Sequence, residues 1–218
     1  MVDLYEAMST LRAVRRLRPD PIPDDVLRRV IQAAAWAPTG GNAQPWHVVV
    51  VKDRAVKQGL QAIYEPEWQE YMKIVRTRMA ALEGEALAKM QRTAAAGDQL
   101  AANLADTPAI LMFFADPTRM AITDIDLDRT SIVGGGSVYP AVQNAMLACR
   151  AEGLGCVLTT LHCRREPQVL ELLNVPQPWM TAAMVPVGYP EGGGHGKITR
   201  QAVAELTSVD SFGTPWST

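Results

Sequence analysis

The sequence predicts an α/β or α+β layered domain, a sheet with helices on both faces. Three observations carry that reading. Short apolar runs of strand length recur at 47–51, 109–115, 156–161 and 181–187, with helical patterns between them. The longest apolar helical segment, 131–152, sits near the middle of the chain. The 218 residues, 48% of them hydrophobic, suit one domain or two closely packed halves. Helices and strands that each carry an apolar face must bury it against one another, which gives layers. The order of elements by itself fixes neither strand order nor strand direction.

Taken in order, Asp3 to Thr10 reads as a short helix with Leu4, Ala7 and Met8 on one face. Pro19-Asp20-Pro21-Ile22-Pro23 is a rigid extended approach to the next helix. Asp24 caps that helix, whose apolar face carries Val26, Leu27, Val30, Ile31, Ala34 and Ala35. Pro38 biases Ala37 away from the α region, so the helix stops there. His47 to Val51 is a buried strand, and Asp53 begins a helix that runs through Ile63. Residues 64–105 are rich in Ala, Glu, Gln, Lys, Arg and Met, all good helix formers. They read as two or three helices on the rim, a lid-like insertion. Trp68, Tyr71, Met72 and Val75 lie there at helical spacing, a stripe that suits packing as well as a cover over a ligand.

Ala109 to Ala115 is the second strand, entered through Pro108, and a loop follows from Asp116. Gly134-Gly135-Gly136 lacks the Lys-Ser/Thr ending of a phosphate loop. It reads as the close-packed beginning of the helix Ser131 to Glu152, where small residues let a second subunit approach. Gly153 ends that helix as a C-cap glycine. Cys156 to Leu161 is the third strand, Glu166 to Leu173 a short helix, and Thr181 to Val187 the fourth strand. Gly192-Gly193-Gly194 is a turn, and the tail from Glu205 to Thr218 has little to bury alone.

Composition excludes several classes of function. Charged residues make up 20% and the formal net charge is −2, with basic residues scattered apart from one cluster. That argues against nucleic acid as a partner. No apolar run approaches the roughly 18 residues of a membrane span, and residues 1–9 have no apolar core of the signal-peptide kind. Cys149, Cys156 and Cys163 recur every seven residues with no partner that completes a metal-ligand spacing, so no metal is expected. An odd count of free thiols suits a reducing cytoplasm. His47, His162 and His195 form no triad with a Ser or Cys motif, and no protein nucleophile stands out.

The most informative stretch is Ala33-Ala34-Ala35-Trp36-Ala37-Pro38-Thr39-Gly40-Gly41-Asn42-Ala43-Gln44-Pro45-Trp46. Gly40 and Gly41 allow close approach of a ligand to the backbone. Asn42 and Gln44 each offer amide donors and a carbonyl acceptor on a short tether, which suits the edge of a flat heteroaromatic ring.

This stretch resembles the A-P-S/T-x-x-N-x-Q-P-W element of the nitroreductase superfamily, the FMN-dependent oxidoreductases. Leu11-Arg12-Ala13-Val14-Arg15-Arg16-Leu17-Arg18-Pro19 resembles that family's basic opening. Val138 to Ala148 is similar to its central helix. Val185-Pro186-Val187-Gly188-Tyr189-Pro190 with Arg200 resembles its C-terminal element. Four elements in order cover essentially the whole chain. The resemblance implies an α+β three-layer sandwich with a mixed sheet, spanning 1–218 with a lid at about 64–105. It also implies an intertwined homodimer with flavin at the interface and a C-terminal arm, about 205–218, reaching across the partner.

It further implies a set of site residues. Arg12, Arg15 and Arg200 match the positions that hold the FMN phosphate, in keeping with the bidentate fit of guanidinium to phosphate. Leu11 stands where the family has its first basic residue. Ala13 stands at the small hydroxyl position, leaving a backbone contact. Pro38, Thr39, Asn42 and Gln44 match residues that reach the ring or ribityl chain from the neighbouring subunit. Thr159 and Thr160 match the strand-end residues near flavin N5, Thr160 in particular. Within the family, Glu67 and Tyr71 match in spacing the lid residues by which the iodotyrosine deiodinase branch holds an amino-acid zwitterion. That branch's lysine falls near Ala101 or Ala102 here, which leaves the clamp incomplete. With Trp68, these form the expected substrate set. The activity implied is hydride transfer from NADH or NADPH through flavin N5 to an aromatic nitro compound, quinone or activated alkene. A halophenol dehalogenase and a flavin-binding protein without turnover are the alternatives.

Overall fold

A computed structural model of the chain describes residues 2–216. Ser217 and Thr218, the end of the expected arm, lie outside the described residues. In chain order the elements are α1 (Leu4–Thr10), β1 (Leu17–Arg18), α2 (Asp24–Ala35), β2 (Trp46–Val51), α3 (Arg54–Met79) and α4 (Gly84–Ala102). Then come β3 (Ala109–Ala115), α5 (Tyr139–Ala151), β4 (Gly155–Cys156), α6 (Glu166–Leu172), β5 (Met180–Pro190) and α7 (Val203–Leu206).

The sheet runs β1-β5-β3-β2, and β4 also pairs with β5, next to where β1 does. Every pairing among the described residues is antiparallel. The mixed sheet that the resemblance implied is therefore not what one chain builds here.

All seven residues of β3 are buried, because both faces of the strand are covered. Its side chains alternate. Leu111 and Phe113 enter a core with Leu27 and Val30 of α2 and Ala141 and Val142 of α5. Ile110, Met112 and Phe114 enter a second core with Leu60 and Tyr64 of α3 and Leu100 of α4. Two apolar faces on one strand make three layers, the α+β sandwich. Each buried Phe contributes roughly 1.5–3 kcal/mol.

Several boundaries differ from the sequence reading, each for a physical reason. Asp24 is the first helical residue rather than the cap, which is Pro23, and Asp24 pairs instead with Lys52 at 2.5 Å. Asp53 does cap α3, accepting from the Val56 N–H at 3.0 Å. That helix does not stop at Ile63 but continues through Pro66 to Met79. A proline removes one backbone N–H, and burial of Leu60, Tyr64 and Met72 along the helix outweighs that loss.

The expected helix from Ser131 begins only at Tyr139. Residues 131–133 are drawn instead onto Asp124, whose buried carboxylate accepts from Ser131 Oγ at 2.7 Å and the Ile132 N–H at 2.9 Å. Gly153 ends α5 with φ +76. The strand expected over 156–161 is Gly155–Cys156 plus a single bridge from Thr159 to Met184.

Candidate functional site

The basic segment is held to the sheet by its apolar members. Leu11 and Val14 are buried, and the Val14 N–H donates to the Cys156 carbonyl at 2.9 Å. A Cβ on Gly155 would stand 2.7 Å from Val14, so only glycine permits this close approach. The unexpected Leu11 is thus a core residue. With those two side chains turned inward, Arg12, Ala13, Arg15 and Arg16 line a cleft of about 630 Å³.

Lys197 and Arg200 line the same cleft from the C-terminal side, and Lys89 and Arg92 from α4. Glu191 is the only carboxylate on its wall among the described residues. The Arg12 Nε donates to the Gly194 carbonyl at 2.7 Å and ties the glycine turn to the segment. Burial lowers the pKa of Arg15, and the nearby Tyr64 and Tyr71 oppose that shift. A guanidinium partly stripped of water keeps its charge and is suited to an anion.

A second cleft of about 460 Å³ adjoins the first, and Arg15 and Thr93 line both. Its walls are Trp68, Tyr71, Met72 and Val75 of α3, Met90 of α4, and the stretch Leu158 to Leu161. Thr159 is fixed by two backbone hydrogen bonds with Met184, at 2.9 and 3.0 Å. Its hydroxyl donates to the Tyr64 hydroxyl at 3.4 Å. Burial pushes the Tyr64 phenol up, so it stays protonated. Thr160 is exposed on the cleft wall. Trp68 joins α3 and α4. Its Nε1 donates to Asp98 at 2.7 Å, and its ring fills the space where a Cβ on Gly97 would fall, 2.2 Å away. Tyr71 stacks at 5.8 Å from Trp68 between centroids and is 40% exposed.

The four predicted residues of the loop after α2 do not join this cluster. Thr39, Asn42 and Gln44, with Pro38 beside them, line neither cleft of their own chain. Their loop is held away from relaxed geometry. Gly41, Asn42 and Gln44 all have positive φ, at 58°, 55° and 48°. Outside glycine such a conformation is uncommon and concentrates at functional sites. The Gln44 N–H donates to Thr39 Oγ1 at 3.0 Å, the Gly40 N–H donates to Ser137 Oγ at 3.1 Å, and the Arg119 guanidinium donates to the Ala43 carbonyl.

Glu67, expected near substrate, is buried and turned to Arg165 at 2.5 Å and Arg164 at 3.6 Å. It lines neither cleft. Ala101 is fully buried in the second core. His162 is buried with Nδ1 lacking a partner, and burial holds its pKa down at about 4. Among the described residues no group of three or more His, Cys, Asp or Glu is placed to hold a metal, and no helix is long and apolar enough to cross a membrane.

Lys89, Arg92 and Lys197 were missed from sequence. The available signal was the spacing of three between Lys89 and Arg92, which puts both on one face of a helix.

A family model described as Nitroreductase family matches residues 10–189. A protein named NADH dehydrogenase from Thermus thermophilus is 33% identical over 196 residues, covering 89% of this chain and 90% of that protein. Iodotyrosine deiodinase 1 of Rattus norvegicus is 30% identical over 198 residues, covering 88% of this chain and 63% of that protein. The chain therefore spans less than two thirds of that relative. Among solved structures, oxidized iodotyrosine deiodinase bound to FMN and 3-iodo-L-tyrosine is similar in fold. Its TM-score is 0.71 at 24% identity, covering 96% of this chain and all of that one.

Proposed function

The chain belongs to the nitroreductase family, and from that premise we propose that it is an FMN-dependent oxidoreductase using NADH or NADPH. The observation that carries the reading is the pair of adjoining clefts, one cationic and one apolar, with Arg15 on the wall of both. That donor set fits flavin mononucleotide. Arg12, Arg15 and Arg200, with the Ala13 backbone, would hold its phosphate, which carries close to two negative charges. Thr159 and Thr160 would border the ring. When bound, the flavin would supply two-electron hydride chemistry between the nicotinamide and an aromatic nitro compound, quinone or activated alkene.

The remaining steps fall to the protein. Trp68 and Tyr71 border the space that donor and acceptor would occupy in turn. Met72, Val75 and Met90 would exclude water from it. Pro38, Thr39, Asn42 and Gln44 lie off their own chain's clefts, which supports a homodimer in which each loop completes the partner's site. The three free cysteines fit a cytoplasmic enzyme.

An absorption spectrum of the purified protein tests the cofactor. NAD(P)H oxidation with a nitroaromatic and a quinone, compared with free FMN, separates an enzyme from a binding protein. A second reading, reductive dehalogenation of a halophenol, is favoured by the 30% identity to a deiodinase and by Tyr71 on the cleft. Turnover of a halophenol by reduced protein decides it.

A further inference from the structure

We propose that the acceptor cleft is built for an aromatic anion, an arene carrying a carboxylate, with the ring among Trp68, Tyr71 and Met90 and the carboxylate on Arg78. This rests on the flavin reading above.

The charge inventory of the apolar cleft carries the inference. Among the described residues its charged members are Arg15 and Arg78, with no carboxylate. Arg15 also lines the cationic cleft and is committed to phosphate in the reading above. Arg78 is left over. Its neighbours on the last turns of α3 are satisfied, Lys73 by Glu70 at 2.6 Å and Arg76 by Asp98 at 3.5 Å. Arg78 is exposed, has no side-chain hydrogen bond or ion pair among the described residues, and lines the cleft together with apolar residues. An unpaired guanidinium beside an apolar surface suits a planar carboxylate carried on an arene.

Glu67 sharpens the class of ligand. An amino-acid substrate brings an ammonium group that needs a carboxylate. The lid's candidate, Glu67, is buried against Arg164 and Arg165 and faces neither cleft. The long-range field agrees. The chain has a formal net charge of −2, yet its cationic groups converge beside this cleft. Clefts lined by one sign of charge concentrate ligands of the opposite sign.

The test is a calorimetric titration of FMN-loaded protein with 4-nitrobenzoate, 4-nitrobenzyl alcohol and 3-nitro-L-tyrosine at low and high salt. Flavin absorbance is recorded first. Nitrobenzoate is expected to bind more tightly than the alcohol by roughly fivefold at low salt, the scale of an exposed ion pair. That ratio should shrink with salt and fall close to one in Arg78→Gln. Melting temperature and FMN occupancy of the variant are measured alongside, because a cation that only complements the α3 C-terminus would change stability and leave the ratio intact. A ratio near one in the parent protein, an unchanged ratio in Arg78→Gln, or tighter binding of nitrotyrosine than of nitrobenzoate overturns the proposal. A protein without flavin bands at the outset overturns the cofactor reading, and this inference with it.

Discussion

The Glu67 carboxylate lies 2.5 Å from the Arg165 guanidinium and is itself almost wholly buried. Glu67 sits in the middle of α3, and Arg165 closes the turn before α6. The pair thus fastens α3 to the segment that carries Thr159 and Thr160. Glu67→Gln should lower stability by about 1–3 kcal/mol. This is less than for a fully buried pair because Arg165 is half exposed. Relative rates among acceptors should stay unchanged. Thermal unfolding and an acceptor panel on the same variant check it. A selective loss of acceptor binding at constant melting temperature would return Glu67 to the substrate site.

Arg15→Ala should weaken FMN binding by about 10- to 150-fold, the range of a charge-assisted hydrogen bond worth roughly 1.5–3 kcal/mol. Arg200→Ala should cost less, because Arg200 is exposed where Arg15 is half-buried. Fluorescence titration of apoprotein with FMN measures both. Equal affinity in the two variants and the parent would remove the phosphate from this cleft.

Tyr71 and the Gly97–Trp68 contact should separate on substitution. Tyr71→Ala is expected to change acceptor kcat/KM more than it changes melting temperature, because Tyr71 is exposed on the cleft. Gly97→Ala should do the reverse. Its new methyl group meets the Trp68 ring, and such overpacking costs typically 1–3 kcal/mol, about the scale expected here. Identical profiles for both variants would show that the lid acts as one packed unit.

The acid response of the fold should carry the signature of His162. Burial holds its folded pKa at about 4, against roughly 6.5 in an unfolded chain. Between those values the unfolded state binds the extra proton, so stability is lost as pH falls from about 6.5 toward about 4. His162→Leu removes the titrating group, and its urea midpoint should vary less with pH across that window. Parallel midpoint-against-pH curves for the two proteins would show that other groups set the response.

Much of this architecture was legible in the sequence because apolar runs report burial directly. Ala109 to Ala115 was read to the residue, since a strand covered on both faces is apolar throughout. The boundaries that slipped depend on contacts distant in the chain. Ser131 and Ile132 look like the start of a helix until Asp124 takes their donors. The two residues of β1 pair with Tyr189 and Pro190, a partnership that local pattern does not announce. On the cationic cleft, Arg12 and Arg15 are singled out by motif likeness, whereas Lys89 and Arg92 needed the packing of α4 to show which face meets the cleft. The burial of Glu67 was hidden for the same reason, because its spacing is visible in sequence and its arginine partners are not.

The division of labour between β3 and the helices α3 and α4 has a consequence for how this protein can change. The residues that hold the layers together are concentrated in β3 and β5, where a side chain on either face belongs to a core. The apolar cleft is cut mainly from α3 and α4, at positions such as Tyr71, Val75, Arg78, Met90 and Ala94. Combinatorial libraries confined to those five positions should yield a high fraction of folded, flavin-loaded variants with altered acceptor range. The same number of random changes along β3 should yield mostly insoluble chains. That outcome would make selectivity modular, with new chemistry sampled without reopening the problem of folding.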